Sequence, residues 1–186
     1  MTTIRRIYAY LLAFAGLAML TVATANLGQL LVDVLLRATV ASERYVRDTA
    51  SLYGAAALVG LPAWLLHWRW IQRSARSDAS ERASTLRRLY LYAVLAGATL
   101  VASMSLSEAL RTTLDALLGV PLSGQLPDAM LRPVPFTIVA LCVWFPHLQV
   151  TTRDRLHVGE GGGSATLRRW SALLPDAIAC STQVAA

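Results

Sequence analysis

Lysine is absent from this sequence, so all 17 of its basic residues are arginine. Charge of either sign is scarce, at 15% of residues, where a water-soluble domain carries about a quarter. That shortage argues against an ordinary soluble globule and suits a chain whose solvent is largely lipid. Cysteine is limited to Cys142 and Cys180, one inside an apolar run and one in the tail. Neither belongs to a Cys-x-x-Cys pair or lies beside a histidine cluster, so no disulfide framework and no zinc site is indicated. The glycine run Gly161-Gly162-Gly163 lacks the lysine that follows in a phosphate-binding loop and follows no strand, so it reads as a linker.

What is present is apolar: 55% of the residues are hydrophobic. Four stretches carry no charged residue, namely residues 7–32, 49–68, 89–107 and 133–152. A helix rising about 1.5 Å per residue needs about 20 apolar residues to cross about 30 Å of hydrocarbon. All four qualify, and in lipid a lone segment has to satisfy its backbone as a helix. The fold class expected is therefore all-α and membrane-integral. Residues 1–155 form the membrane domain, and residues 156–186 form a glycine-rich linker with a flexible or interfacial tail. Arg5 and Arg6 before an apolar run, with Ala23-Thr24-Ala25 after it, also resemble a secretory signal. The run is longer than a signal needs, and a near copy recurs mid-chain where no signal acts, so it is read as a retained span.

Arginine placement sets the orientation. The N-terminus, the loop of residues 69–88 and the C-terminal tail hold two, six and four arginines, while Arg37, Arg44, Arg47, Arg111 and Arg132 lie on the opposite side. The richer side belongs in the cytoplasm. The net charge of +6 is thus topological, and nucleic acid is not an expected partner. Tyr8, Tyr10, Trp64, Trp68, Trp70, Tyr90, Tyr92 and Trp144 cluster at the same inner ends, as an interfacial aromatic belt does. The expected location is the inner (plasma) membrane, with both termini cytoplasmic. The arginines of residues 69–88 offer a site for anionic lipid headgroups.

The chain also resembles itself. Ile4-Arg5-Arg6-Ile7-Tyr8-Ala9-Tyr10 matches Leu86-Arg87-Arg88-Leu89-Tyr90-Leu91-Tyr92 at a shift of 82. The same shift pairs Val32-Asp33-Val34-Leu35-Leu36 with Leu114-Asp115-Ala116-Leu117-Leu118, and Trp64-Leu65-Leu66-His67 parallels Trp144-Phe145-Pro146-His147 at a shift of 80. Three collinear matches imply two tandem helical hairpins of like orientation, residues 4–73 and 86–155. Leu167-Arg168-Arg169-Trp170 repeats the opening once more, in a tail too short and too polar to span again.

Five charged residues form a candidate outer polar cluster. Asp33 with Arg37, and Glu108 with Arg111 and Asp115, fall at helical spacings of three and four and so share faces. Ionisable groups at membrane depth are functional candidates, although a pairing of Asp33 with Arg37 and of Asp115 with Arg111 at the outer interface is the simpler reading. Asn26-x-x-Gln29 and Ser105-x-x-Glu108 look like capping boxes, so the first and third spans either extend beyond the bilayer or break there. His67 and His147, at matching positions, would be the ligands of a haem b in a minority reading, with interfacial anchoring beside tryptophan as the plain one. Small residues at Gly16, Gly54, Gly60, Ala93, Ala96 and Gly97 permit close helix packing, and Pro62 and Pro146 fall inside spans.

The stretch Pro62-Ala63-Trp64-Leu65-Leu66-His67-Trp68-Arg69-Trp70, followed by Glu81-Arg82-Ala83-Ser84-Thr85-Leu86-Arg87-Arg88-Leu89-Tyr90-Leu91-Tyr92, resembles a bacterial family of repeated helical hairpins catalogued as domain of unknown function 5671. The likeness spans residues 4–155, and the second copy departs from it where Pro146 interrupts the tryptophan–histidine motif. The resemblance implies a multi-pass membrane protein and brings no catalytic residue or cofactor. The function expected is a non-enzymatic structural or accessory subunit, alone as a homo-oligomer or with membrane partners and without a cofactor. A small transporter or channel using the outer carboxylates is the alternative. A reporter active only outside the cytoplasm, fused after Val120, is predicted to give signal, and silence there would reverse the orientation.

Overall fold

The computed structural model describes residues 3–36, 42–120 and 130–157. Arg37, the glycine-rich linker, Cys180 and the third basic–aromatic start lie outside the described residues. Within them the elements are α1 (Thr3–Leu36), α2 (Glu43–Ser77), the single-turn α3 (Ala79–Arg82), α4 (Thr85–Leu117) and α5 (Val134–His157), and no strand occurs. Four of these helices are long and apolar enough to cross a membrane. Residues 1–151 form one compact unit; of the second, residues 152–186, only the end of α5 is described.

The helices outrun the uncharged stretches that predict them. At 34, 35 and 33 residues, α1, α2 and α4 are each about 50 Å long, well beyond about 30 Å of hydrocarbon. Neither proposed capping box is a cap, because α1 runs through Asn26 and Gln29 and α4 through Ser105 and Glu108. Asn26 Nδ2 instead donates to Val22 O at 2.8 Å and Gln29 Nε2 to Asp33 Oδ1 at 3.1 Å, both bonds within one turn of α1. The caps are elsewhere. Ser42 Oγ accepts from the Tyr45 N–H (3.2 Å) and Ser84 Oγ from the Arg87 N–H (3.3 Å), each satisfying a first-turn donor.

Residues 69–88 are likewise helix rather than loop. Arginine is a good helix former, and α2 continues through Arg69, Arg73 and Arg76 to Ser77. Asp78 then stops it, its N–H reaching back to Ser74 O at 3.0 Å. The Asp78 carboxylate is held below the usual range by hydrogen bonds from the Ser80 hydroxyl and then from the Ser80 N–H, the latter at 2.8 Å. One turn of α3 and the Ser84 cap complete the connection to α4.

Small residues decide how close the helices come, but only some of them. The α1 and α2 backbones run close together along much of their length, while α4 and α5 make no comparable approach. A Cβ added at Gly16 would stand 2.6 Å from Trp64 N, and one at Gly60 would stand 2.9 Å from Leu20 N. At the outer end, a Cβ on Gly28 would meet Pro135 Cβ at 2.9 Å, so α1 and α5 also touch. By contrast nothing lies within 4 Å of a Cβ at Gly54 or Gly97, which correct the expectation of packing there. The outward faces carry Leu58, Leu66, Leu100, Ile138 and Phe145, exposed as lipid-facing side chains are. Gly60→Leu is predicted to destabilise the protein by about 1–3 kcal/mol through overpacking. Gly97→Leu should stay within about 0.5 kcal/mol of the parent. Thermal unfolding midpoints in one detergent check the contrast, and equal effects would refute the assigned seam.

Candidate functional site

The end of the bundle where α2 passes through α3 into α4 holds a polar cluster that is almost wholly buried. Glu81 on α3 is 1% exposed, and its Oε2 lies 2.7 Å from Arg6 Nη2 on α1. The contact is one of charge, since the N–H···O alignment falls short of a hydrogen bond. Arg87, in the first turn of α4, is 2% exposed and donates through Nη2 to Gln72 Oε1 on α2 at 3.0 Å. The Tyr10 hydroxyl stands beside Arg87 and Ser84, and that of Tyr90 beside the Trp64 indole. Side chains from α1, α2, α3 and α4 thus converge where the sequence reads as solvated arginines. A buried carboxylate needs such a cation, because desolvating an unpaired charge costs several kcal/mol.

Aromatic rings roof the cluster. Ring centroids lie 5.1 Å apart for Trp68 and His147, 5.5 Å for Trp68 and Tyr90, 5.7 Å for Tyr10 and Tyr90 and 6.0 Å for Tyr90 and His147. Tyr10 and Tyr90 are 5% and 4% exposed, so these two belong to the core and not to an interfacial belt. Trp64, Trp68 and Trp70 pack against that core, with the Arg5 guanidinium 5.6 Å from the Trp70 ring centroid.

The two histidines share a local bond and differ in setting. His147 Nδ1 lies 2.7 Å from Val143 O and His67 Nδ1 2.7 Å from Ala63 O. A bond to a carbonyl requires a proton on Nδ1 in both. His147 is 2% exposed, with Nε2 buried and without a hydrogen-bond partner, so it is a core residue and not an interfacial anchor. His67 is half-buried and meets Tyr8 at 6.0 Å. Successive residues on α2 point about 100° apart, so the face that brings Trp68 to His147 turns His67 toward Tyr8. The two imidazoles therefore sit among different neighbours.

The outer carboxylates divide. Asp33 and Glu108 line one open cleft of about 420 Å³, with Gln29, Tyr45, Ser105 and Arg132, over an apolar floor of Met104, Pro133 and Phe136. Asp33 accepts from Gln29 at 3.1 Å and from the Tyr45 hydroxyl at 3.5 Å. The ion-pair partner of Arg111 is Glu108, at 3.3 Å, rather than Asp115, and neither Arg111 nor Asp115 lines the cleft. Arg37 is outside the described residues.

Sequence reasoning passed over Arg6, Glu81, Arg87 and Gln72 as a group, and over Arg132 and Tyr45 in the cleft. Glu81 sits among arginines in a polar segment, so nothing in its local pattern marks it as buried. Glu81→Ala is predicted to cost about 3 kcal/mol by leaving Arg6 unpaired next to apolar surface, and Arg6→Met with Glu81→Leu should recover most of that loss. Unfolding midpoints of the single and double variants measure this, and an unchanged single variant would contradict the pairing.

A family model described as domain of unknown function (DUF5671) matches residues 6–145. That stretch contains the Arg6–Glu81 pair, Arg87, both described glycine seams and the cleft residues. No curated protein and no solved structure shows a significant match to the chain. With most of its length covered by that model, the chain belongs to the family of domain of unknown function 5671.

Proposed function

We propose that the chain is a multi-pass protein of a bacterial inner membrane, with both termini in the cytoplasm, that serves as a structural or accessory subunit of a membrane assembly. The observation that carries this reading is the separation of its polar groups. The buried cluster of Arg6, Glu81 and Arg87 lies at one end and the Asp33–Glu108 cleft at the other. Between them the buried residues are apolar: Ala13, Leu17, Val94, Ala98 and Ala140. Among the described residues such a core packs helices together and offers no hydrophilic path through the middle. The apolar window of α2 is only 6% buried, against 33% for that of α1, so α2 presents a long face to lipid or to a partner helix. Exposed Arg69, Arg73 and Arg76 on the inner part of α2 suit anionic headgroups. The tandem-hairpin reading draws support from one matched contact, since Tyr8–His67 and Tyr90–His147 both pair at 6.0 Å.

A second reading follows from the cleft. Asp33 and Glu108 share an open pocket of about 420 Å³ with Arg132, within the size range of small-ligand sites. On this reading the outer end binds a solute or lipid, as the opening step of transport or as a structural contact. Extraction in mild detergent followed by size-exclusion chromatography separates the first reading from its rival. A stoichiometric membrane-protein partner is the outcome expected of an accessory subunit. A lone monomer or homodimer at endogenous expression would count against it.

A further inference from the structure

Resting on the second reading above, we propose that the outer cleft binds an ammonium–phosphate zwitterion of the kind carried by an ethanolamine phospholipid headgroup, with the ammonium between Asp33 and Glu108 and the phosphate on Arg132.

The lining supplies both signs of charge in one open space: two carboxylates from α1 and α4, and one guanidinium just before α5. Asp33 keeps its carboxylate oriented through Gln29 and Tyr45, at 3.1 and 3.5 Å. Glu108 Oε1 is engaged by Arg111 at 3.3 Å, which leaves its second oxygen as an acceptor. Ser105, 8% exposed, adds a hydroxyl to the same wall. An ammonium carries three N–H donors and is matched by two carboxylates and a hydroxyl. Arg132 is exposed and has no ion-pair partner among the described residues. A guanidinium presents a planar fork suited to phosphate.

A simple cation would leave Arg132 opposed to it, and a simple anion would meet two carboxylates. A ligand with one charge of each sign satisfies all three groups. The floor argues for an apolar extension of that ligand. Met104 belongs to α4, Phe136 to the first turn of α5 and Pro133 to the turn just before it, and the backbones of these two helices do not close on each other. The diacylglycerol esterified to that phosphate has an apolar surface to follow from there into the bilayer.

The experiment measures binding to the purified full chain, with O-phosphoethanolamine as the soluble probe in neutral-detergent micelles and an ethanolamine phospholipid as the second probe in nanodiscs of neutral lipid. Ethanolamine and ethyl phosphate, each carrying half of the charge pair, serve as controls on the unaltered protein and make the test independent of any variant's folding. The expected result is that the zwitterion binds at least tenfold more tightly than either half. Asp33→Asn with Glu108→Gln, and separately Arg132→Gln, should each weaken it about tenfold. Binding in both arms places recognition in the headgroup chemistry itself, and binding in the nanodisc arm alone makes the lipid the source. Absence of binding in both arms, or equal binding of ethanolamine alone, would overturn the proposal. Micelles expose both ends of the protein, so an error in the membrane orientation, or a negative co-purification, would leave this result unaffected.

Discussion

A charged carboxylate with almost none of its surface in water needs a cation brought to it, and the end of this bundle that joins α2 to α4 is arranged around that requirement. Glu81 belongs to a single helical turn between two long helices. Its contact with Arg6 draws the turn onto the first helix. Gln72 meets Arg87 from the other side of the same connection, so the end of α2 and the start of α4 are tied to each other as well. The charges contribute little net stability by themselves, because desolvation offsets most of their attraction. What they impose is geometry: the segment between α2 and α4 has one place to lie.

Above that knot the packing changes character. Gly16 and Gly60 let α1 and α2 approach until backbone meets backbone, where dispersion contacts accumulate without any hydrophobic drive. Nothing equivalent joins α4 to α5. Tyr90 of α4 meets His147 of α5 through their rings, while α5 also reaches α2 through Trp68 and α1 through Pro135 against Gly28. The looser pairing is what leaves room for a cleft between α4, α5 and α1, while the tight pair has none. Packing density thus divides the bundle into a close-packed helix pair on one side and an open cleft on the other.

The Tyr8–His67 and Tyr90–His147 contacts have similar local geometry in two different environments. In both, the imidazole proton is committed to the carbonyl four residues earlier, and the phenol ring stands 6.0 Å away. The interplanar angles differ, 74° against 47°. Tyr8 is exposed at the periphery, whereas Tyr90 and His147 are covered by Tyr10 and Trp68.

Much of the fold was legible in the residues. The four helices follow from uncharged stretches of about 20 residues, since apolar side chains and a self-satisfied backbone leave helix as the answer whatever the neighbours do. The helix ends were not legible. The segment around Arg73 and Arg76 looks like loop because it is polar, yet arginine sustains a helix equally well, and Asn26 and Gln29 look like caps although their side chains bond within the helix. Of the candidate residues, Asp33 and Glu108 follow from spacing alone, but their common cleft with Arg132 does not, because α1, α4 and the turn before α5 each supply one of the three. The sequence by itself determined the four long apolar helices among the described residues and which residues are too polar for hydrocarbon. Only the tertiary structure decided which of those polar residues, Glu81, Arg87 and His147 among them, are buried, because burial depends on what other helices bring to the same place.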